Sequence, residues 1–272
     1  MQAITLSSAQ NPKIKKLLAL QQKSSERRRE QLFVVEGMRE WRHCQAAGFQ
    51  IDSIFCCPQL LCEKDIEALS ASLPHPDRLI SVSPELYNRI AYRGSTEGII
   101  ALVHERHLTL SDLTLKNNPL IVVLERVEKS GNIGAILRSA DAAGADAVII
   151  CDPLTDLYNP NLIRSSIGAI FTVPCLATTT EECITFLKNN HIRILTAQLQ
   201  DSSLYYDTNM TQGTAIILGT EATGLTDTWR QVADAHIRIP MLGQLDSLNV
   251  SVSAAILLYE AVRQRQGLPT NR

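Results

Sequence analysis

Between residues 119 and 241 the chain alternates short, nearly uninterrupted apolar runs with stretches of helical period, and few folds satisfy that pattern. The runs are PLIVVLE, AVIIC, FTVPCLA, RILTAQL, AIILG and HIRIPM, and NIGAILRSADAAG, NLIRSSIGA, TEECITFLKNN and TDTWRQVADA lie among them. A strand that is apolar at every position, with no polar alternate face, must be covered on both sides. Strands of that kind interleaved with helices predict an α/β domain with a parallel sheet. In such sheets ligands bind beyond the carboxyl ends of the strands, so the loops that follow them are where function is sought.

The first half is a different, smaller α/β arrangement. NPKIKKLLALQQ reads as a helix with Asn11 as cap and Pro12 at its first position. The strand candidates QLFVVEG, DSIFC, RLISVS and GIIALVH follow, with MREWRHCQAAG and CEKDIEALSAS as helices. The stretch RHLTLSDLTLKNN is more polar and has little periodicity, which places a linker at 106–118 between a domain at 1–105 and another at 119–272. A length of 272 residues accommodates two cores.

Composition excludes several classes. The chain is 45% hydrophobic and 20% charged with a mean hydropathy of −0.01, and no apolar run reaches the roughly 18 residues of a membrane span. MQAITLSSAQNPKIKK has no apolar signal core, so a cytoplasmic location is expected. Seven cysteines without framework spacing fit reduced thiols. Cys56, Cys57 and Cys62 form no CxxC pair, and His104 and His107 have no second ligand pair, so no metal site is expected. The net charge of −2 hides a basic segment: Lys13, Lys15, Lys16, Lys23, Arg27, Arg28 and Arg29 stand against Glu26 alone. Such a segment can attract phosphates by counterion release, or simply be a solvated helix face.

Three loops after strands stand out. Gly131, Asn132, Gly134 and Arg138 follow PLIVVLE, where Asn132 can cap the coming helix. Neither GxGxxG nor GxxxxGK[ST] is present, so no nicotinamide or P-loop nucleotide site is supported. Gly219 and Gly224 flank Glu221 after AIIL and let backbone N–H groups face a ligand. Pro240, Met241, Leu242 and Gly243 follow HIRI. The segment LDSLNVSVSAAILLYEAV then begins with a period of two, Ser247, Asn249, Ser251 and Ser253 alternating with Leu248, Val250 and Val252, and turns helical. These loops supply backbone groups, hydroxyls, amides and one Arg, but no Ser, Cys or His triad. A site of this kind positions a purine-bearing ligand and does not suit covalent catalysis.

NIGAILRSADAAGA, LGTEATGL and IPMLGQLDSLNVSVSAAILLYE resemble, in order and spacing, the three motifs of the SpoU (TrmH-type) RNA 2′-O-ribose methyltransferases of the SPOUT superfamily. NPKIKKL, RRREQLFVVEGMRE and IDSIF are similar to that family's ribosomal-protein-like RNA-binding domain. The resemblance implies a C-terminal domain with a deep trefoil knot and S-adenosylmethionine bent inside it. By matching positions the cofactor contacts are Thr196, Gly219, Ile239, Met241 and Leu248. Asn132, Arg138, Glu221 and Asn249 match catalytic and RNA-contacting positions. Ser166 matches a position near the RNA, and the basic residues Lys13, Lys15, Lys16, Arg27, Arg28 and Arg29 become expected RNA contacts. Two departures are visible: EKSGN where many members have a DPxN-like stretch, and Ser253 where Ala is usual.

The implied reaction is transfer of a sulfonium methyl group to a ribose 2′-hydroxyl, without a metal, by a homodimer. A guanidinium keeps its proton, so Arg138 is expected to orient the hydroxyl and phosphate, and the base is left open. The separate N-terminal domain favours ribosomal RNA over tRNA. The rival readings are a nucleotide-binding enzyme with its phosphate at the Asn132 helix start, and a non-catalytic RNA-binding or ribosome-assembly protein with a vestigial knot.

Overall fold

The structure is a computed structural model that describes residues 5–92, 97–220 and 223–266. The chain forms two compact units, one of residues up to Arg106 together with Tyr158–Thr172, the other of His107–Leu157 and Val173–Arg272.

In the first unit, helices α1 (Pro12–Gln22) and α2 (Ser24–Glu30) precede strand β1 (Leu32–Glu36). Helix α3 (Met38–Ala46), β2 (Ile51–Cys56), α4 (Glu63–Ala71), β3 (Leu79–Ser81), α5 (Pro84–Ile90) and β4 (Ile99–His104) follow. The sheet order is β1-β4-β2-β3, with β4 antiparallel to β1 and β2, and β2 parallel to β3. Asn11 caps α1 through Lys13 N at 2.9 Å, and Ile14, Leu17 and Leu20, spaced three apart, bury one stripe of the helix against the sheet.

The second unit holds β5 (Leu120–Glu125), α6 (Ser130–Ala142) and β6 (Ala147–Cys151). Two short helices after β6, α7 (Pro160–Ser166) and α8 (Ala169–Thr172), belong to the first unit. There Tyr158 stacks on Phe33 with ring centroids 4.2 Å apart, and Phe171 meets Phe49 edge-on at 5.3 Å. Strand β7 (Cys175–Thr178) is therefore shorter than the expected FTVPCLA run, because Phe171 is helical and sits in that aromatic cluster.

The second unit continues with α9 (Thr180–Asn189), β8 (Arg193–Ala197), β9 (Ser203–Leu204), β10 (Thr214–Leu218), α10 (Asp227–Val232), β11 (Ala235–Arg238) and α11 (Val250–Arg265). The seven-stranded sheet has the order β7-β6-β5-β10-β8-β11-β9, and every pairing in it is parallel. Strands β5, β6 and β10 are buried at every position, the outcome that continuous apolar runs demand. The 106–118 segment is less loose than its polarity suggests. Leu108, Leu110, Leu113 and Leu115 pack on the core of the second unit, around a turn at Leu110–Asp112 closed by a Thr109–Asp112 capping box.

Candidate functional site

A cavity of about 590 Å³ opens in the second unit beyond the carboxyl ends of the adjacent strands β10, β8 and β11. Its size falls within the roughly 300–1,000 Å³ usual for small-molecule sites. Its wall comes from the end of β8 and the residues after it (197–200), the end of β10 with the described part of the following loop (218–220 and 223–225), Arg230 on α10, the end of β11 with Ile239 and Met241, and the entry and first turns of α11 (246–250, Ser253 and Leu257).

The described residues of the loop after β10, Thr220, Thr223 and Gly224, are tied to one another by hydrogen bonds. Thr220 N donates to Gly224 O at 3.3 Å and Gly224 N returns to Thr220 O at 3.1 Å, while Thr223 N donates to Thr220 Oγ1 at 3.0 Å. Gly224 has φ +68°, the left-handed region where a side chain is strained. At Gly219 a Cβ would lie 2.3 Å from the carbonyl carbon of Gly224, so only glycine allows the loop to close. A buried carboxylate fastens the far end: Glu125, 2% exposed at the end of β5, accepts from Thr226 N at 2.9 Å and Thr226 Oγ1 at 2.7 Å. Sequence reasoning passed over Glu125, although an acidic residue closing an otherwise apolar strand was a visible signal.

Of the residues expected to hold the cofactor, Gly219, Ile239, Met241 and Leu248 line the cavity. Thr196 is fully buried at the preceding turn of β8, where its Oγ1 lies 2.6 Å from His236 Nδ1, and Ala197 takes its place in the wall. Among the described residues, two buried polar atoms of the wall, Gln198 Oε1 and Arg230 Nε, have no hydrogen-bond partner. A wall with unsatisfied donors and acceptors suits a ligand carrying both, because an enclosed polar group without a partner is costly. The shape and donor set thus fit S-adenosylmethionine, with an adenine edge, a ribose and an amino-acid zwitterion to receive.

Asn132 and Asn249, separated by more than a hundred residues in sequence, meet: Asn249 Nδ2 donates to Asn132 Oδ1 at 3.2 Å. Asn132 is not the helix cap expected of it. The cap of α6 is Lys129, and Asn132 lies inside the first turn with its side chain turned to Asn249. Asn249 itself caps α11, accepting from Ser251 N at 2.9 Å and Ser251 Oγ at 2.6 Å. The period of two over residues 247–253 is thus not a strand: α11 starts at Val250, and Ser251 and Ser253 lie in its first turn. Arg138 stands exposed farther along α6, with no ion pair or hydrogen bond among the described residues. Glu221 lies outside the described residues.

Ser166 belongs to the first unit, 1% exposed, its hydroxyl donating to Ile163 O at 2.7 Å. So placed, it stabilises the end of α7 rather than facing solvent. Arg27 also differs from expectation. It is 2% exposed and its Nη1 donates to the Leu20 and Gln21 carbonyls at the end of α1, where it completes the last turn instead of facing a phosphate. Lys16 pairs with Glu30 at 2.8 Å and Arg29 with Glu26 at 2.6 Å. Lys13, Lys15 and Arg28 are exposed and without an ion pair among the described residues.

No cysteine lines the cavity among the described residues. Burial pushes the Cys44 and Cys175 thiols up to about 12, and a hydrogen bond to Cys183 together with burial raises Cys151 as well.

Comparison with known proteins places this site in a lineage. Residues 119–259 match the SpoU rRNA Methylase family and residues 11–101 match the MRM3-like substrate binding domain. The 23S rRNA (guanosine(2553)-2′-O)-methyltransferase RlmP of Bacillus subtilis is 26% identical over 93% of this chain and 97% of its own. A crystal structure of an RNA 2′-O ribose methyltransferase superposes with a TM-score of 0.84 at 36% identity, covering 97% of this chain and all of that one. The SpoU methyltransferase AviRb from Streptomyces viridochromogenes, in complex with the cofactor AdoMet, superposes with a TM-score of 0.85 at 27% identity over 94% of this chain and 99% of that one. With a match that spans more than half its length and contains every loop that walls the cavity, the chain belongs to the SpoU rRNA methylase family.

Proposed function

We propose that the protein transfers the methyl group of S-adenosylmethionine to a ribose 2′-hydroxyl of ribosomal RNA. The observation that carries this reading is the cavity beyond β10, β8 and β11, because its walls are the family's matched loops and one of its lining residues, Asn249, is hydrogen-bonded to Asn132. The cofactor supplies an electrophilic methyl group on a sulfonium. The chain's own residues have to bind it, orient the ribose in line with it and let the hydroxyl proton leave. Gly219, Ile239, Met241 and Leu248 hold the cofactor, and Thr196 supports that wall from beneath by fixing β8 to β11. Asn132 and Asn249 present amide donors and acceptors to the ribose. Arg138 keeps its proton and orients hydroxyl and phosphate. Glu221 completes the set of polar residues.

Residues 1–105 serve as the RNA-binding domain and 119–272 as the methyltransferase domain, with Lys13, Lys15 and Arg28 as the RNA-facing cations. The match of residues 11–101 to a substrate-binding domain supports this division, and the rRNA enzymes among the relatives support ribosomal RNA over tRNA. The reading includes the deep trefoil knot. In support, β10 lies between β5 and β8 while β11 returns beyond β8, and the segments after β10 and β11 converge on one cavity. It also includes a homodimer. Leu242 is 97% exposed and Leu245 76%, and Val252 and Tyr259 stand out from α11, a set of apolar side chains that a second copy would cover. The reading also includes a cytoplasmic location. Among the described residues no helix is long and apolar enough to cross a membrane.

The test is a map of 2′-O-methylation over ribosomal and transfer RNA from cells with and without the gene. Loss of one ribosomal site is expected, and loss of a tRNA site would overturn the choice of substrate. Arg138→Ala should abolish transfer while leaving S-adenosylmethionine affinity intact, and unchanged transfer would remove Arg138 from the mechanism.

A further inference from the structure

We infer that Arg230 is the residue that reads the carboxylate of the cofactor's amino-acid end, so that the pocket distinguishes adenosyl ligands with that carboxylate from those without it. The inference rests on the proposal that the cavity holds S-adenosylmethionine. Arg230 lies on α10 and lines the cavity, with its Nη2 3.9 Å from where a Cβ would stand on Gly224, in the loop after β10. Its Nε is enclosed and lacks a hydrogen-bond partner among the described residues. The ion pair it makes, Nη1 to Asp227 Oδ1, is long at 3.5 Å, and Asp227 has 82% of its side chain in solvent, so water screens that pair. A guanidinium in a ligand cavity with an unfilled donor calls for a planar anion, which it can hold through two parallel N–H bonds. S-adenosylmethionine has one anionic group, the carboxylate of its methionine part.

The position is fixed rather than incidental. Thr226, the cap of α10, is fastened to the buried Glu125, and Trp229, beside Arg230 in sequence, is fully buried. The stretch of α10 that leads into Arg230 is therefore anchored at Thr226 and again at Trp229, which preserves the direction of the guanidinium. The other arginine of the wall, Arg238, makes a similarly long bond to Ser202 Oγ at 3.4 Å, and it is Arg230 whose enclosed Nε has no partner among the described residues.

The experiment is calorimetric titration of the full-length protein with S-adenosylhomocysteine and with 5′-methylthioadenosine, which keeps the adenosine and thioether but lacks the amino acid. Arg230→Gln should weaken S-adenosylhomocysteine by about tenfold or more, the loss of a charge-assisted hydrogen bond, and leave 5′-methylthioadenosine within about twofold. Arg230→Lys should fall between. A parallel loss for both ligands at an unchanged unfolding temperature, no loss for either, or the same discrimination lost in Arg238→Gln instead, would overturn the assignment. Independently of any variant, the wild-type protein should bind the methyl ester of S-adenosylhomocysteine about tenfold more weakly than the free acid. Equal binding would also overturn it. A wild-type protein that binds none of these ligands would refute the cofactor site itself, a result separate from failure at Arg230.

Discussion

Asn249 carries two duties that its sequence neighbours do not share. Its carboxamide oxygen caps α11 while its Nδ2 reaches Asn132. Asn249→Ala removes both, and should cost about 1 kcal/mol of stability, typical of a lost cap, together with most of the turnover. Asn249→Asp keeps the cap but not the donor, so denaturant unfolding should be near wild type while turnover stays low. If the Asp variant regains activity, the Nδ2 contact is not what matters. Arg27 divides from its neighbours in the opposite way. Arg27→Ala should destabilise the first unit by about 2 kcal/mol, because a charged donor leaves two helix-end carbonyls unsatisfied. Removing Lys13, Lys15 and Arg28 should leave stability alone and lower the salt slope of RNA binding by about 0.7–0.9 per lost phosphate contact. Equal stability losses in both variants would contradict the inward placement of Arg27. Three arginines in a row give no sequence signal as to which one turns inward; only the geometry at the end of α1 selects it.

At the scale of elements, the strands of the parallel sheet were the legible part. β5, β6, β8 and β10 fall where apolar runs predicted them, because a strand buried on both faces has no freedom to be polar. The start of α11 was not legible. Leu248, Val250 and Val252 fit a period of two as well as the irregular entry and first turn of a helix, and the deciding feature is the Asn249 side chain capturing Ser251 N. The other end of α11 makes a pH-dependent claim. Glu260, 8% exposed, is hydrogen-bonded to Arg263 at 2.6 Å and to Gln264 at 2.8 Å. The Arg263 bond, above all, holds its carboxyl below the ordinary glutamate value of 4.5. A depressed folded pKa means stability that is present above pH 4.5 and lost as pH falls through the lower folded value. Glu260→Gln should therefore cost about 1–2 kcal/mol at neutral pH, and its difference from wild type should shrink below about pH 4.5. A difference that stays constant down to pH 3 would rule out the ionised pair as the source.

For the whole molecule, the boundary between the units does not coincide with a single point in the chain. The polypeptide leaves the second unit at Leu157, contributes Tyr158–Thr172 to the first, and returns at Val173. The first crossing falls between Arg106 and His107, and the second and third carry no sequence signal, since NLIRSSIGA has the helical period of its neighbours and nothing local says where it docks. What fixes it is the aromatic cluster: Phe33 against Tyr158, Phe49 against Phe171, and the Arg106 guanidinium 4.1 Å over the Phe49 ring. Tyr158 also receives the Arg106 N–H and donates to the Arg106 carbonyl, so the crossing point is tied by hydrogen bonds as well as by packing. A fragment ending at Arg106 would expose Phe33 and Phe49, which the inserted segment covers, and should bind a hydrophobic dye that the intact chain excludes. In the intact chain, Tyr158→Ala removes a nearly buried ring and should destabilise by about 3 kcal/mol. Hydrogen exchange locates that loss: amides of β1 should exchange faster while those of β5 and β6 keep their protection, because only the first unit loses packing. Equal acceleration in β5 would mean that the segment supports the methyltransferase sheet instead, and that the first unit holds together without it.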